Sequence, residues 1–247
     1  MMKLVLLRHG ESKWNLENKF TGWHDVNLTS NGEKEAIYAG EQILEQCLSI
    51  KSIYTSYLIR AVRTAEIVSE IIKYPKRQIN YNWRLNERHY GALQGLNKSE
   101  TASKHGEDLV KIWRRSYDIP PPLIDINDKR HPKFNDKFKN ILDELPVGES
   151  LKNVIDRMKP FWNKYVNYII QNKGDHLIVA HSNSLRAIVK ILDQLSDKEI
   201  ISVNIPTGIP LVYTLDRSLN VLKKEYLIDD DKLKEKQEIV ANQGKVK

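Results

Sequence analysis

The sequence predicts an α/β fold: a mostly parallel sheet covered by helices on both faces, with a helical and irregular insert over the active site. Three observations predict it. Short runs of apolar and β-branched residues recur along the chain, segments of three-to-four helical spacing lie between them, and the alternation stops between about Leu85 and Pro146.

The first strand is "KLVLLR" at 3 to 8, followed by a helix in "TSNGEKEAIYAGEQILEQC". That helix has a cap at Thr29 or Ser30, Glu33 in its first turn, and apolar positions at Ala36, Ile37, Ala39 and Ile43. "SIYTS" at 52 to 56 is the second strand, and "LIRAVRTAEIVSEII" the helix after it. The insert carries aromatic, proline and charged residues, one short helix in "EDLVKIWRRSYD", and a proline run at 120 to 122 that cannot join a central strand. A connection this long within a compact unit is usually functional, which makes the insert a lid over the site. The alternation resumes with the helix "LKNVIDRMKPFWNKYVNYII", the strand "HLIVAH" at 176 to 181 and the helix "NSLRAIVKILDQL". "LVYTLD" at 211 to 216 and "NVLKKEYL" at 220 to 227 lie close enough to pair as a hairpin. The expected organisation is one domain over 1–231, with the insert at about 85–146 as a lid subdomain and a basic, mobile tail at 232–247.

Composition is that of a globular enzyme, with 40% hydrophobic and 29% charged residues. No apolar run approaches the roughly 20 residues that span a bilayer, and the N-terminus lacks the apolar core and cleavage site of a signal peptide. Neither a membrane nor a leader is expected. A single cysteine, Cys47, cannot form an internal disulfide, which favours a reducing, cytoplasmic setting; its helical context favours buried packing. Of the net charge of +7, +3 lies in the last sixteen residues, with five lysines against two glutamates. Elsewhere the charges are mixed, so no nucleic-acid stripe is evident and a small polyanion is the better partner.

In an open sheet of this kind the active groups stand at the carboxyl ends of the strands. Arg8 and His9 stand at one such end and His181 at another, although 172 positions separate the two histidines. A guanidinium beside an imidazole disfavours its protonation, and a neutral histidine in a cationic site is a nucleophile aimed at an anion. Arg8 and Arg60 can bind a phosphoryl group through charge-assisted bonds. The glycine after His9 would let the backbone approach the ligand, and the "SNS" turn after His181 opens a helix N-terminus suited to the same anion. Glu87, between Arg84 and Arg88, is the candidate general acid and base, with an ordinary salt bridge as its competing role. His181 would hydrogen-bond the phosphoryl oxygens. Arg63 reads as structural, and solvated helix positions compete with binding roles for Arg60, Arg114 and Arg115. The other histidines, His24, His89, His105, His131 and His176, have no metal-site spacing and are expected at the surface or behind the site. Trp113, Trp162, Tyr165 and Tyr168 fall at helical spacing and are expected in the core.

"LVLLRHGESKWNLENKFTGWHDVNLT", "TSYLIRAVRTA", "RLNERHYGALQGLNK", "WRRSYDIPPP", "GESL", "AHSNSLRA" and "NIPTGIPLVY" together resemble the cofactor-dependent phosphoglycerate mutases of the histidine phosphatase superfamily, in order from residue 3 to about 228. The resemblance implies that His9 is phosphorylated, that Arg8, Arg60 and His181 form the phosphate pocket, and that Glu87 is the acid and base. It also implies that Asn15, Thr21, Gly22 and Asn183 contact phosphate or substrate, and that Tyr90, Lys98, Arg114 and Arg115 hold the phosphoglycerate. Ser182 stands where the family commonly has glycine. The implied reaction interconverts 3-phosphoglycerate and 2-phosphoglycerate in glycolysis and gluconeogenesis, primed by 2,3-bisphosphoglycerate and requiring no metal, in a homodimer or homotetramer. Two rivals use the same pocket: a phosphatase or bisphosphoglycerate mutase/phosphatase of the superfamily, and a phosphoprotein-binding module, which would have no need of Glu87.

Overall fold

The structure is a computed structural model and describes residues 1–141 and 143–243. Its strands are β1 (Met2–Arg8), β2 (Ile50–Thr55), β3 (Asn80–Tyr81), β4 (Asp175–Ala180), β5 (Leu211–Leu215) and β6 (Val221–Tyr226). The helices are α1 (Lys13–Leu16), α2 (Ser30–Glu45), α3 (Ile59–Ile71), α4 (Lys98–His105), α5 (Glu107–Arg115), α6 (Leu151–Gln171), α7 (Ser182–Leu192), α8 (Glu199–Ser202) and α9 (Asp230–Asn242).

One sheet runs in the order β3-β2-β4-β1-β5-β6. β1 pairs with β4, and β2 with β4 and β3, all in parallel. β5 is antiparallel to both β1 and β6, so the expected hairpin forms and adds an antiparallel margin to the parallel centre. Each central strand buries both faces: Leu4, Leu6, Ile178 and Ala180 pack with α6 and α7, while Val5, Leu7, Leu177 and Val179 pack with residues of α2 and α3. This accounts for continuous apolar strands rather than alternating ones. Trp162 and Tyr165 are buried in the first of these clusters, with Tyr168 against it, and Trp113 packs against a smaller cluster around Phe20.

The register places Arg8 opposite Ala180 and Thr55 opposite Val179, so β1, β2 and β4 end at one edge. His9 continues the pairing through its N–H to the Ala180 carbonyl (3.0 Å). The segment from Trp83 to Leu145 crosses this edge and, among its described residues, carries α4, α5 and four single-turn 3₁₀ helices at Trp83–Leu85, Gly91–Leu93, Pro132–Phe134 and Asp136–Phe138.

Three expectations are changed or narrowed. The tail expected to be mobile from 232 belongs to α9, capped by Asp229, whose side chain accepts from the Asp231 N–H at 3.0 Å; residues 244–247 lie outside the described residues. Cys47 is exposed rather than buried, because α2 ends at Glu45 and Cys47 turns away at φ +51°. Of the two settings expected for His89, His131 and His176, at the surface or behind the site, the surface is excluded, because all three are buried. Each of their rings makes a hydrogen bond to local backbone or to a neighbouring strand, which lets a polar group sit inside.

Candidate active site

His9 is 2% exposed and its Nδ1 lies 2.7 Å from the Gly10 carbonyl oxygen. A carbonyl only accepts, so Nδ1 carries the ring proton and Nε2 keeps its lone pair. Arg60 Nε donates to that Nε2 at 3.2 Å. Burial, then Arg60, then Arg8 hold the His9 pKa well below its usual value. The adjacent guanidinium seen in the sequence is therefore the smallest of the three causes.

Arg60 is itself buried, with Nη1 donating to the carbonyl of His24 (3.0 Å) and Nη2 to that of Gly22 (2.8 Å). It begins α3, whose first free N–H, at Ile59, is taken by the Asp25 carboxylate at 2.6 Å. Gly22 has φ +55°, a conformation glycine adopts without strain, and this turns its carbonyl onto Arg60. Arg8 anchors one nitrogen on the Ile205 carbonyl (2.8 Å) while its Nε has no protein partner. His181 is fully buried, with its ring 5.0 Å from that of His9 and Nε2 sharing a 2.7 Å hydrogen bond with Ser56 Oγ. Burial, Arg60 and His9 keep it neutral.

Glu87 is not the salt-bridge residue its neighbours suggested. Arg84 pairs with Asp143 instead, and the Arg88 guanidinium reaches the carbonyls of Trp113 (3.0 Å) and Arg114 (2.9 Å). Arg88 thus holds the C-terminal end of α5, where a cation suits the dipole, and fixes Arg114 and Arg115 beside the site. Three N–H groups converge on Glu87 Oε1: Arg88 N (2.8 Å), Asn183 N (3.1 Å) and Asn183 Nδ2 (2.9 Å). One N–H of the α7 N-terminus, read from sequence as free for an anion, is therefore spent on Glu87. Trp23 Nε1 and Arg157 meanwhile hold the Glu87 carbonyl.

These groups surround a single cavity of about 60 Å³, room for a few waters. Of the residues expected at the site, Arg8, His9, Asn15, Thr21, Gly22, Arg60 and Glu87 line it, as do Tyr90, Lys98, Arg114, Arg115, Ser182 and Asn183. His181 stands behind His9 instead. Ser182 is the first residue of α7 and has no positive φ, so a serine fits there without strain. Burial and the neighbouring Arg114 and Arg8 push the Lys98 pKa well down, and Arg114 is lowered to about 10 by burial and Arg115. Crowded cations of this kind are what a polyanion would relieve. Among the described residues no group of three or more His, Cys, Asp and Glu could hold a metal ion.

The model of the histidine phosphatase superfamily (branch 1) matches residues 4–124 and 123–224, which cover both histidines, both arginines and Glu87. The chain belongs to the histidine phosphatase superfamily. Among its relatives in that superfamily, a 2,3-bisphosphoglycerate-dependent phosphoglycerate mutase of Hydrogenobaculum sp. (strain Y04AAS1) is 50% identical over 246 residues, 99% of this chain and 100% of that one. Solved structures share the superfamily fold. A mycobacterial glucosyl-3-phosphoglycerate phosphatase in complex with VO3 superposes with TM-score 0.69 at 20% identity, covering 92% of this chain and 98% of that one. A second mycobacterial hydrolase gives TM-score 0.69 at 20% identity over 92% and 96%.

Sequence reasoning missed Lys19, Arg186, Val240 and Gln243, which also line the cavity. Lys19 and Arg186 stand inside the quoted motifs but look like ordinary helix-face or loop cations. Val240 and Gln243 sit in the segment read as mobile, where no local signal marks a return to the site: Lys98 Nζ donates to Gln243 Oε1 (3.0 Å) and Arg115 reaches the Val240 carbonyl (3.4 Å).

Proposed function

We propose that this chain is the isomerase that interconverts 3-phosphoglycerate and 2-phosphoglycerate through a phosphohistidine at His9. The observation that carries the reading is the protonation pattern: a buried imidazole whose Nδ1 proton is held by the Gly10 carbonyl, so that Nε2 keeps its lone pair, accepting from Arg60 Nε, in a cavity also lined by Arg8 and the Glu87 carboxylate. The 50% identical relative supports the substrate class.

With 2,3-bisphosphoglycerate as primer, the Nε2 lone pair attacks phosphorus. The P–O bond breaks, its electron pair stays on the alkoxide oxygen, and that oxygen takes the proton from Glu87. In the reverse direction Glu87 takes the proton of the accepting hydroxyl as the phosphoryl group leaves His9. Arg8 and Arg60 stabilise the charge on the transferring oxygens, with His181 packed behind His9, and Lys98, Arg114 and Arg115 hold the substrate's carboxylate and second phosphate. The bisphosphate intermediate then turns over in the site without leaving.

That retention needs a closed site. The domain at 1–231, the insert at about 85–146 and α9 supply it in this reading, with Val240 and Gln243 closing over the cations and excluding water. Turnover of 3-phosphoglycerate with and without added 2,3-bisphosphoglycerate is the test. Primer-dependent formation of 2-phosphoglycerate is expected; release of inorganic phosphate at the same rate would make the chain a phosphatase instead.

A further inference from the structure

Arg186 lines the cavity, with both terminal nitrogens tied to protein acceptors and Nε without a partner. Nη1 donates to Asn183 Oδ1 at 3.0 Å and Nη2 to the Ile200 carbonyl of α8 at 2.6 Å, with the side chain 2% exposed. Three residues apart on α7, Arg186 and Asn183 share one helix face. An arginine has donors only, so the amide oxygen of Asn183 must face Arg186 and its Nδ2 must face Glu87. The opposite orientation would set Oδ1 against the carboxylate and leave a buried guanidinium nitrogen without an acceptor.

Glu87 is thereby made asymmetric. All three N–H groups that reach its carboxylate end on Oε1, two of them from Asn183. Oε2 receives none of the three, and Glu87 lines the cavity. We infer that Arg186 is a positioning residue which, by fixing the Asn183 amide, locks Glu87 Oε1 in place and leaves Oε2 as the oxygen that exchanges the substrate's proton. The inference rests on Glu87 being the acid and base. In this inference Arg186 acts through Asn183. The tether to Ile200 gives the relay its stiffness, because it holds the guanidinium from the side away from Asn183.

The test is a double-mutant cycle on the single-turnover rate of His9 phosphorylation by 2,3-bisphosphoglycerate, with KM for the same donor measured alongside. Arg186→Met should lower the rate about 10- to 100-fold with KM within about twofold, as misplacement of a reacting group does. In a Glu87→Gln background the same substitution should cost nothing further, because the group it positions no longer transfers a proton. Arg186→Lys keeps one donor and should recover part of the rate; it serves as the primary variant should the methionine form fail to melt cooperatively. Equal losses in the wild-type and Glu87→Gln backgrounds, or no loss at all, would overturn the inference while leaving Glu87 as the acid. A Glu87→Gln protein that phosphorylates at the wild-type rate would instead overturn the role of Glu87, and the inference with it.

Discussion

At Gly10 the backbone after His9 passes so close to α2 that a Cβ built there would lie 2.0 Å from the Gly32 carbonyl oxygen, and a Cβ on Gly32 would lie 2.0 Å from that of Glu11. The sequence led us to expect that this glycine makes room for ligand; it makes room for a helix. Gly10→Ala should therefore destabilise the fold by at least about 2 kcal/mol in urea titration, since backbone meets backbone and neither can yield. The protons of the site carry a second consequence at this scale. His9 and His181 are held well below the ordinary imidazole pKa by burial first, and His89 is held at about 3 by burial and His131. Each stays neutral in the fold while the unfolded chain binds a proton below about pH 6.5, so their contribution is complete above that pH and is lost as pH falls toward the folded values. Between pH 7 and 5.5 the loss should be about 1 kcal/mol per histidine. Urea midpoints across that range check it, and a flat profile would contradict the neutral assignment. That His9, Arg8, Arg60 and Glu87 come together at one cavity was legible in the sequence because a strand end or a motif marks each one. Arg186 was not, since its partner Ile200 is set by the fold and not by spacing.

Elements are placed here by buried cations acting on carbonyls. Arg157 bonds the carbonyls of Arg84 (2.7 Å), Asn86 (3.2 Å) and Glu87 (3.3 Å) while pairing with Glu149 at 2.6 Å, both side chains less than a tenth exposed. Glu149 in turn accepts from the His89 N–H at 2.8 Å. The pair pins the segment carrying Glu87 between α6 and the insert. Arg157→Ala would leave Glu149 buried without its cation and should cost about 3 to 5 kcal/mol in chemical denaturation. If a loss below about 1 kcal/mol were measured, the pinning role would fail. The strands β1, β2, β4 and β5, the hairpin and the long helices followed from apolar periodicity. β3 did not, because two exposed residues carry no pattern, and α4 was read as irregular because its eight residues have a weak apolar stripe.

For the molecule as a whole, the positive charge has a place to act. α9 lies with Lys236 on Glu35 of α2 (3.2 Å), whose other oxygen accepts from the Glu11 N–H (2.8 Å), so the C-terminal helix is linked through Glu35 to the loop after His9. Its far end meets Lys98 and Arg115 at the cavity. Truncation after Asp229 should lower the ratio of mutase to phosphatase turnover about tenfold, since water would reach the phosphohistidine; an unchanged ratio would remove α9 from the closing role. The parallel core and the position of the site at the strand ends were readable from alternation alone. The return of the C-terminus to the site was not, because its bonds to Lys98 and Arg115 join residues 145 and 125 positions apart and its local sequence is that of a solvated helix.

Central to the account is the Nε2 lone pair of His9. Brief incubation with 2,3-bisphosphoglycerate labelled in its phosphates, followed by fragmentation of the acid-labile phosphopeptide, locates the transferred group. The account predicts one phosphoryl group per chain, on the His9 ring at Nε2, and none in a His9→Ala protein. Label on another residue, or unchanged mutase turnover by His9→Ala, would contradict it.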